Sequence, residues 1–506
     1  MRPQPKKTLK LALIAALITA LAVCPLIIYV SSTPGHGQNP VLERAAKSLN
    51  RYEISVDFDP AAGMLYCDQS IVYINRTDKD LTHIYFHLYP NAYKYEDRPV
   101  FPQEDMPRAY PDGFSSGYLE LEDVTVDGRG CLYTVGGHSD SLLMLVLDNS
   151  LAPGESTTIG FKYSVKLPYC LGRFGYGDHT YKAANWYPIA CVYDENGWNL
   201  DRYYPIGDPF YSEAANYYVT IRAPYGYILA TTGDILSMRE KDGIAVWTIK
   251  ALAVRDFAWV ASDRFKVLSR KVGKTMVHSY YFSSHGDMAL DYGASAIEAF
   301  NSAFGEYPYK QFSIVEADFY IGGMEYPNLV MIDHSLYSSG TFKWLELIIA
   351  HETAHQWWYG LVGNNQIKDA WLDEGLTEYS TVLYYGLRYG REKEEEMYRN
   401  EIAWGKYRYI QELALSEPDI DQTIHKPAYE FPDWYIYDAL VYGKGAVMFH
   451  GIRKQIGDQM FFDVLKQYYE KFRFSNAGKD DLIGVLNSIT GRDWEGYLDK
   501  WLYDDN

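Results

Sequence analysis

Two histidines and two glutamates in the second half of the chain have the types and spacing of a catalytic metal centre. His351 and His355 lie four residues apart, so on a helix their imidazoles share one face and can bind the same ion, with Glu352 beside them. A catalytic zinc site normally takes three protein ligands and leaves a position for water. Glu374, nineteen residues beyond His355, is the third candidate. The pattern therefore predicts one zinc ion per chain, held by His351, His355 and Glu374, with Glu352 as a general base.

Two helices are needed to position these four side chains. Residues 344–350 are apolar apart from Glu346, and a three- and four-residue spacing continues through the motif, which predicts a helix with one largely buried face. The residues on that face are Ile348, His351, Glu352, His355 and Tyr359. A Gly-Asn-Asn loop at residues 363–365 then allows a second helix, carrying Glu374, to face the first. Glu378, one turn further, either accepts a hydrogen bond from a liganding histidine or is an ordinary exposed helix acid.

The zinc motif and three further motifs together resemble the aminopeptidase N family of gluzincin zinc metallopeptidases. The runs that carry this resemblance are His351-Glu352-x-x-His355-Gln356-Trp357, Trp371-Leu372-Asp373-Glu374-Gly375, Gly322-Gly323-Met324-Glu325 and Tyr442-Gly443-Lys444-Gly445. Three earlier runs resemble the family's amino-terminal domain: Asn185-Trp186-Tyr187-Pro188, Gly207-Asp208-Pro209-Phe210 and Val254-Arg255-Asp256-Phe257-Ala258-Trp259. The resemblance covers most of the chain and is that of a short, exported or membrane-anchored member of bacterial type without the carboxy-terminal helical domain.

The resemblance implies a zinc-dependent aminopeptidase that hydrolyses the first peptide bond of extracellular peptides with a free amino terminus. Zinc would polarise the scissile carbonyl, while Glu352 would move the proton of the attacking water to the leaving amine. Tyr442 would donate a hydrogen bond to the oxyanion as the carbonyl becomes tetrahedral.

A second motif implies where the substrate's amino terminus lies. By resemblance, it is bound by Gly322, Gly323, Met324 and Glu325. Glu325 would pair with the α-ammonium and so place the scissile bond one residue away. Residues 319–329 would be an edge strand along which the peptide lies. Tyr326-Pro327 stands where the family usually has Asn-Trp, and the family's second amine-binding residue has no clear counterpart between residues 175 and 185.

Two other function classes share parts of this pattern. A zinc endopeptidase would use His351, His355 and Glu374 in the same way but would have no use for Glu325. A non-catalytic peptide-binding surface protein on the same fold would commonly have lost the base or a ligand, and none is lost here. Blocking the substrate's amino terminus separates the first two classes, because an endopeptidase would keep cutting.

The periodicity of apolar residues predicts an α+β multidomain chain. Residues 48–267 read mostly as alternating strands and predict an antiparallel β domain, a sandwich or saddle. Clear examples are Ile54, Val56 and Phe58, then Ile159, Phe161, Tyr163 and Val165, then Tyr217, Val219 and Ile221. From residue 268 to 506 the pattern predicts mainly helices, the first near 288–304. By resemblance, this part forms a thermolysin-like α/β catalytic domain. The chain ends about sixty residues after Tyr442, from which we expect an open cleft.

The first thirty residues predict export. Four basic residues, Arg2, Lys6, Lys7 and Lys10, precede an apolar run from Leu11 to Val30 that is long enough to span a bilayer. We expect a transmembrane anchor over residues 1–30, with the catalytic part outside the cell, and the alternative is a cleaved signal peptide and a secreted protein. Residues 31–47 read as a flexible tether.

The net charge argues against one class of partner, and the cysteine count leaves the disulfide pairing undetermined. A formal net charge of -19 over 506 residues argues against nucleic acid as a partner. Beyond Cys24 the chain has four cysteines: Cys67, Cys131, Cys170 and Cys191. In an exported protein they can form up to two disulfides, with Cys170 and Cys191 the favoured pair, or they remain buried free thiols.

Overall fold

The structure, a computed structural model, describes residues 39–338 and 340–503. The anchor or signal peptide predicted over residues 1–30 and the first part of the predicted tether lie outside the described residues. The second part of the tether prediction is wrong, because Pro40–Ala46 forms a helix, α1, that begins with Asn39 accepting a hydrogen bond from the Val41 amide. Leu42 of this helix is buried. Within the described ranges, no helix combines the length and the apolarity needed to cross a membrane.

The amino-terminal part consists mainly of strands. They are β1 (Arg51–Asp59), β2 (Met64–Ile74), β3 (Leu81–His87), β4 (Tyr118–Val126), β5 (Arg129–Gly130), β6 (Tyr133–Gly136), β7 (Leu142–Leu151), β8 (Ser156–Lys166), β9 (Gly175–Tyr176), β10 (Tyr181–Ala183), β11 (Ile189–Ala190), β12 (Tyr193–Asp194), β13 (Gly197–Trp198), β14 (Ala215–Pro224), β15 (Ile228–Thr231), β16 (Asp234–Lys241), β17 (Ile244–Val254) and β18 (Trp259–Ser262). Short helical segments between them are Tyr89–Tyr93, α2 (Met106–Ala109) and His138–Asp140.

These strands form one large sheet and three smaller ones. The large sheet has eight strands in the order β16-β17-β14-β1-β2-β8-β4-β5. Two four-stranded sheets have the orders β15-β18-β10-β9 and β11-β3-β7-β6, and β12 pairs with β13. The predicted β domain is confirmed, with one departure from its antiparallel pattern: β1 and β14 pair in parallel, from Arg51 with Asn216 to Asp57 with Arg222.

Alternating apolar residues build the core under the large sheet. In β1 the side chains of Tyr52, Ile54, Val56 and Phe58 are buried, whereas the residues between them are more exposed. Successive side chains of a strand point to opposite faces, so this alternation gives the sheet one buried face. The predicted alternations in β8 and β14 are buried in the same way.

The carboxy-terminal part combines a five-stranded sheet with helices. Its strands are β19 (Lys266–Val272), β20 (Thr275–Tyr281), β21 (Gln311–Ala317), β22 (Gly323–Met324) and β23 (Leu329–Asp333), in the order β19-β20-β21-β23-β22, followed by the pair β24 (Val362–Gly363) and β25 (Ser475–Asn476). Its α-helices are α3 (Gly286–Phe304), α4 (Phe342–Ala354), α5 (Leu376–Tyr389), α6 (Arg391–Met397), α7 (Arg408–Ser416), α8 (Trp434–Tyr437), α9 (Gly445–Ile456), α10 (Asp458–Phe472), α11 (Lys479–Thr490) and α12 (Glu495–Tyr503). Three segments are π-helical, Trp371–Gly375, Tyr398–Tyr407 and Asp438–Lys444, and two are single 3₁₀ turns, His334–Tyr337 and Ala428–Glu430.

The edge strand predicted over residues 319–329 is much shorter in the structure. Only Gly323 and Met324 form it, as β22, antiparallel to β23. Pro327 has no backbone N–H, and Asn328 has a φ of 63°, so neither residue can continue a strand. Leu329 begins the neighbouring strand β23. The predicted domain boundary at residue 267 falls inside β19, which belongs to the catalytic sheet.

A buried arginine joins the β domain to the catalytic domain. Arg255 follows β17 and donates hydrogen bonds to the carbonyls of Tyr359 at 2.8 Å, Ser212 at 2.5 Å and Ser475 at 3.0 Å. The guanidinium fits because residue 363 is glycine: a Cβ there would lie 2.0 Å from Cζ of Arg255. The loop that follows the zinc motif is therefore fixed to the β domain.

The described cysteines are all free. Cys67, Cys131, Cys170 and Cys191 are thiols, so the predicted Cys170–Cys191 disulfide is wrong. Both of these cysteines are buried, where a thiol packs as a small apolar group. Burial raises the pKa of Cys170 to about 11, which keeps it protonated and unreactive.

Gly363→Ala is expected to destabilise the protein by about 1–3 kcal/mol, because the added methyl overlaps the Arg255 guanidinium. Denaturant unfolding measures this change. Gly130→Ala is the matched control, since nothing lies within 4 Å of a Cβ added there. Equal unfolding midpoints for the two variants would contradict the role given to Arg255.

Candidate active site

Helix α4 brings both motif histidines to one buried point. It runs from Phe342 to Ala354, and His355 follows as its carboxy-terminal cap. His355 is only 1% exposed and His351 is 9% exposed. Tyr359 has left the helix, with a φ of 119°, so the predicted helical face ends at His355. The predicted burial of the motif is confirmed.

Glu374 lies in a π-helical turn that faces α4. This turn, Trp371–Gly375, directly precedes α5, and π-helical turns often occur where a functional side chain must leave the regular helical position. Gly375 lets the turn pack tightly, because a Cβ there would lie 3.0 Å from Cα of Gly445. The close approach brings Glu374 next to the segment that carries Tyr442.

Three ligand atoms converge between these elements. The Nε2 atoms of His351 and His355 are 3.1 Å apart, and Oε2 of Glu374 lies 3.3 Å from the first and 3.1 Å from the second. Ligand atoms at about 2.0–2.1 Å from a tetrahedral zinc ion lie roughly 3.3 Å from one another. The spacing of the three atoms fits zinc.

Each histidine is held through its other nitrogen by an acid. Nδ1 of His351 lies 3.1 Å from Oε2 of Glu378, and Nδ1 of His355 lies 2.9 Å from Oδ1 of Asp373. An ionised carboxylate only accepts hydrogen bonds, so each Nδ1 carries a proton and each Nε2 presents a lone pair. When both imidazoles are neutral, their Nε2 atoms and Glu374 are three acceptors that face one another without a donor between them. A cation is what stabilises such a group.

The charges around the triad favour a positive ion. Burial alone would lower the pKa of His351, but hydrogen bonds to Glu374 and Glu378 raise it to about 9. Burial alone would raise the pKa of Glu374, but the two histidines hold it well below its usual range. The surrounding acids thus stabilise positive charge at the triad, as a metal site requires.

Glu352 points towards strand β22. A Cβ added at Gly323 would lie 2.2 Å from Oε1 of Glu352, so the carboxylate lies directly against the β22 backbone. Burial raises the pKa of Glu352 to about 7, against the opposing effect of the two motif histidines. Its Oε2 atom has no hydrogen-bond partner among residues 39–338 and 340–503. Such a carboxylate is suited to accept a proton near neutral pH.

Tyr442 stands over the first zinc-motif histidine. It belongs to the π-helical segment Asp438–Lys444, and its ring lies 5.9 Å from the imidazole of His351. Lys406 Nζ lies 4.8 Å from the centre of the Tyr442 ring and 3.6 Å from Oε1 of Glu378. Burial and the charge of Glu374 hold the pKa of Tyr442 well above its usual range. The phenol therefore stays protonated and can donate a hydrogen bond.

Glu325 lies beside the base and the triad. Glu325, Glu352 and His355 offer ligand-type atoms within 4.8 Å of one another. Gln366 donates a hydrogen bond from Nε2 to Oε1 of Glu325 at 3.2 Å. Gln356, in the zinc motif, donates to the carbonyl of Tyr326 at 3.2 Å, which fixes the backbone after Glu325 to the end of the zinc helix.

The rest of the predicted amine-binding run lines the same edge of the sheet. Gly322 has a φ of 97° and accepts a hydrogen bond from the Asp333 amide at 2.8 Å. Met324 is buried, and its sulfur accepts a hydrogen bond from Nε of Arg173 at 3.0 Å. The structure thus brings the predicted ligands, base, tyrosine and amine-binding run together.

The Tyr-Pro departure after Glu325 has a structural explanation. Tyr326 is fully buried, and its hydroxyl donates to Oδ1 of Asn185 at 3.0 Å. Asn185 donates in turn to Asp256 at 2.6 Å, which also accepts from Tyr187 at 3.0 Å. The β-domain segments around residues 185 and 256 therefore support the predicted amine-binding segment through these hydrogen bonds.

Some residues near the site were missed by sequence reasoning. Asp208 belongs to the run Gly207-Asp208-Pro209-Phe210, whose spacing does not predict a place in the cleft. It pairs with Arg173 at 2.5 Å, and burial raises its pKa to about 7, with Arg173 opposing and Glu374 and Asp373 adding to the rise. Arg173, Gln366 and Lys406 carry no local sequence signal, because each acts through a contact between distant segments.

Comparison with known proteins finds a family model and several aminopeptidases that this chain resembles. Residues 288–501 match the model of the peptidase family M1 domain. Aminopeptidase N of Lactococcus lactis subsp. lactis is 29% identical over 285 residues, which is 52% of this chain and 32% of that protein. Aminopeptidase 2, mitochondrial, of Saccharomyces cerevisiae is 26% identical over 264 residues, which is 50% of this chain and 26% of that protein. The chain thus aligns with about a third or less of the length of these curated relatives.

Solved structures show the same fold over most of the chain. An M1 zinc metallopeptidase from Deinococcus radiodurans superposes with a TM-score of 0.63 at 16% identity, covering 90% of this chain and 94% of that one. A variant of the Deinococcus radiodurans M1 zinc metallopeptidase, bound to a Tyr-Ser-Ala substrate, gives a TM-score of 0.61 at 15% identity, covering 90% and 94%. The two-domain arrangement of a β domain and a catalytic domain is common to both.

Glu378→Gln and Asp373→Asn are each expected to weaken zinc binding by about 10–100-fold, because each removes the charge that holds Nδ1 of a histidine predicted to bind zinc. Competition with a chelator measures the change. Glu346→Gln is the matched control: Glu346 lies on the same helix α4 but bonds to Tyr384 at 2.9 Å. Zinc affinities equal to that of the control would contradict the support role.

Proposed function

We propose that this chain is an aminopeptidase N-like member of peptidase family M1 and, from that premise, that it is a zinc-dependent aminopeptidase that removes the first residue of peptides. The observation that carries the proposal is the position of Glu325. This buried carboxylate lies beside both the base Glu352 and the zinc-binding His355. An acid in that position can anchor a substrate's α-ammonium one residue from the scissile bond.

The charge of the cleft supports a cationic substrate group. The buried acids in and around it are Asp208, Glu325, Glu352, Asp373, Glu374 and Glu378. Arg173 pairs with Asp208, and Lys406 lies near Glu378. When the two motif histidines are neutral, as metal binding requires, the remaining acids outnumber these cations. Burial holds the pKa of Glu325 well above its usual range, with Asp208 adding to the rise. A zinc ion and an α-ammonium together offset this excess of negative charge.

The proposed chemistry assigns one task to each group. His351, His355 and Glu374 would hold zinc, which when bound would supply a Lewis acid for the scissile carbonyl and for water. Glu352 takes the proton of the attacking water and passes it to the leaving amine. Tyr442 donates a hydrogen bond to the carbonyl oxygen as negative charge develops there.

Glu352→Gln is expected to lower kcat on aminoacyl-arylamides by a factor of about 10³ or more, because the proton acceptor is lost. Its zinc content should equal that of the wild type, which separates loss of the base from loss of the metal. Retained turnover in this variant would rule out Glu352 as the base.

Glu325→Ala tests the choice of substrate end. We expect it to raise KM for free-amine arylamides and to leave zinc content unchanged, because only the amine anchor is lost. The same assays should include a peptide with a blocked amino terminus. Internal cleavage of the blocked peptide by the wild type would favour an endopeptidase, and no cleavage of any substrate by the zinc-loaded protein would favour a binding role.

Gly323→Ala is expected to lower kcat while zinc stays bound, because the added methyl overlaps the Glu352 carboxylate and displaces it. Steady-state kinetics with metal analysis measures this. Gly478→Ala is the control, since nothing lies within 4 Å of its added Cβ. Equal kcat values would show that Glu352 does not need its present position.

The proposed substrates are extracellular peptides. This part of the proposal rests on the sequence of residues 1–30, where basic residues precede an apolar run. Protease added to intact cells that produce the full chain should degrade the catalytic part if it is displayed outside an anchoring segment. Release into the medium would instead indicate a cleaved signal peptide, and protection inside intact cells would contradict export.

A further inference from the structure

A buried glutamine links the amine anchor to the zinc-binding side of the cleft. Gln366 is 2% exposed. Its Nε2 atom donates to Oε1 of Glu325 at 3.2 Å and to Oδ2 of Asp373 at 2.6 Å. Asp373 accepts from Nδ1 of His355 through its other oxygen at 2.9 Å. One chain of hydrogen bonds therefore runs from His355 to Glu325.

The chemistry of an amide group suits this position. The Nε2 of glutamine carries two hydrogens and no acceptor, and here each hydrogen faces a carboxylate oxygen. The orientation of the amide is fixed by these two acceptors, because turning it over would place its oxygen against both acids. A neutral donor between Glu325 and Asp373 also separates the two carboxyl groups.

Gln366 is placed to orient the carboxylate of Glu325, the proposed amine anchor. Among the described residues it is the side chain that donates a hydrogen bond to Glu325. A hydrogen bond to Oε1 fixes the rotation of the carboxylate, which leaves the other oxygen in a set direction. Pre-orienting a group in this way saves the ordering cost when the ligand binds.

We propose that Gln366 is a positioning residue that sets the preference for a free amino terminus by holding Glu325 in line with the substrate's α-ammonium. The proposal rests on the proposed aminopeptidase function and adds to it a residue that acts through Glu325. Asp373 accepts the second hydrogen bond of Gln366 and also bonds to the zinc-binding His355. The position of Glu325 is therefore fixed relative to His355. The distance between the anchored amine and the polarised carbonyl is thereby fixed.

A pair of zinc-binding inhibitors isolates the amine contribution. Leucine hydroxamate carries an α-amine, and 4-methylpentanohydroxamate has the same carbon skeleton without it. Their dissociation constants for the zinc-loaded full chain give a ratio that reports recognition of the amine, since both ligands share the zinc contact. A loss of zinc affinity or of general stability affects both ligands and cancels in this ratio.

Gln366→Met keeps the length of the side chain and removes both donors. We expect the preference for the amine-bearing hydroxamate to fall by about tenfold, as loss of a hydrogen bond to a charged group implies. Gln69→Met is the matched control, because Gln69 is also buried and hydrogen-bonded, to the Pro188 carbonyl at 3.0 Å and the Tyr163 hydroxyl at 3.0 Å, but lies in the β domain. This control should keep the wild-type ratio.

The double variant tests whether Gln366 acts through Glu325. In a Glu325→Ala background, Gln366→Met should produce no further change in the ratio. A wild-type ratio in Gln366→Met, or a further fall in the Glu325→Ala background, would overturn the proposal. A wild-type protein that binds both hydroxamates equally would instead overturn the proposed aminopeptidase function, so the two failures are distinguishable.

Discussion

The convergence of three lone pairs at one buried point governs the rest of this structure. Nε2 of His351, Nε2 of His355 and Oε2 of Glu374 lie within 3.1–3.3 Å of one another. When the two imidazoles are neutral, acceptors this close repel one another unless a cation lies between them, and burial strengthens the repulsion. The acids behind the histidines, the π-helical turn under Glu374 and the glycine contact at Gly375 all maintain this geometry against that repulsion.

The β domain contributes to the site without providing a zinc ligand. Arg255 fixes the loop after the zinc motif through the carbonyls of Tyr359 and Ser475. The Tyr326 hydroxyl donates a hydrogen bond to Asn185 of the β domain, which holds the proposed amine-binding segment in place. Contacts between segments more than 100 residues apart therefore hold the elements of the cleft in place.

The cleft concentrates negative charge where the proposed reaction requires it. In the proposed reaction, buried carboxylates have three tasks: zinc ligand, base and amine anchor. Burial would normally protonate such a group, as the raised pKa of Glu352 near 7 shows. Glu374 differs because two histidines hold its pKa well below its usual range. Neighbouring charges thus give chemically similar carboxylates different tasks.

Local pattern was enough to predict much of this protein. The strand alternation predicted the β domain because a period of two is a property of consecutive residues, and β1 and β8 are buried as expected. The zinc triad was predicted because two of its ligands lie one helical turn apart. The fold class and the residues of the candidate site followed from such runs. The parallel pairing of β1 with β14 was not predicted, since pairing between distant strands leaves no mark in either strand alone.

The sequence by itself determined which residues are candidates for the proposed chemistry: His351, His355, Glu374, Glu352, Glu325 and Tyr442 stand in short runs whose spacing has a direct physical meaning. Only the tertiary structure decided what holds them. Gln366, Arg173 and Lys406 act through side chains that meet across the cleft. The disulfide prediction and the long edge strand failed for the same reason, because the separation of two thiols and the pairing of a strand edge depend on the packed chain. Spacing along a helix or strand is set by backbone geometry, whereas contacts between segments are set by the whole fold.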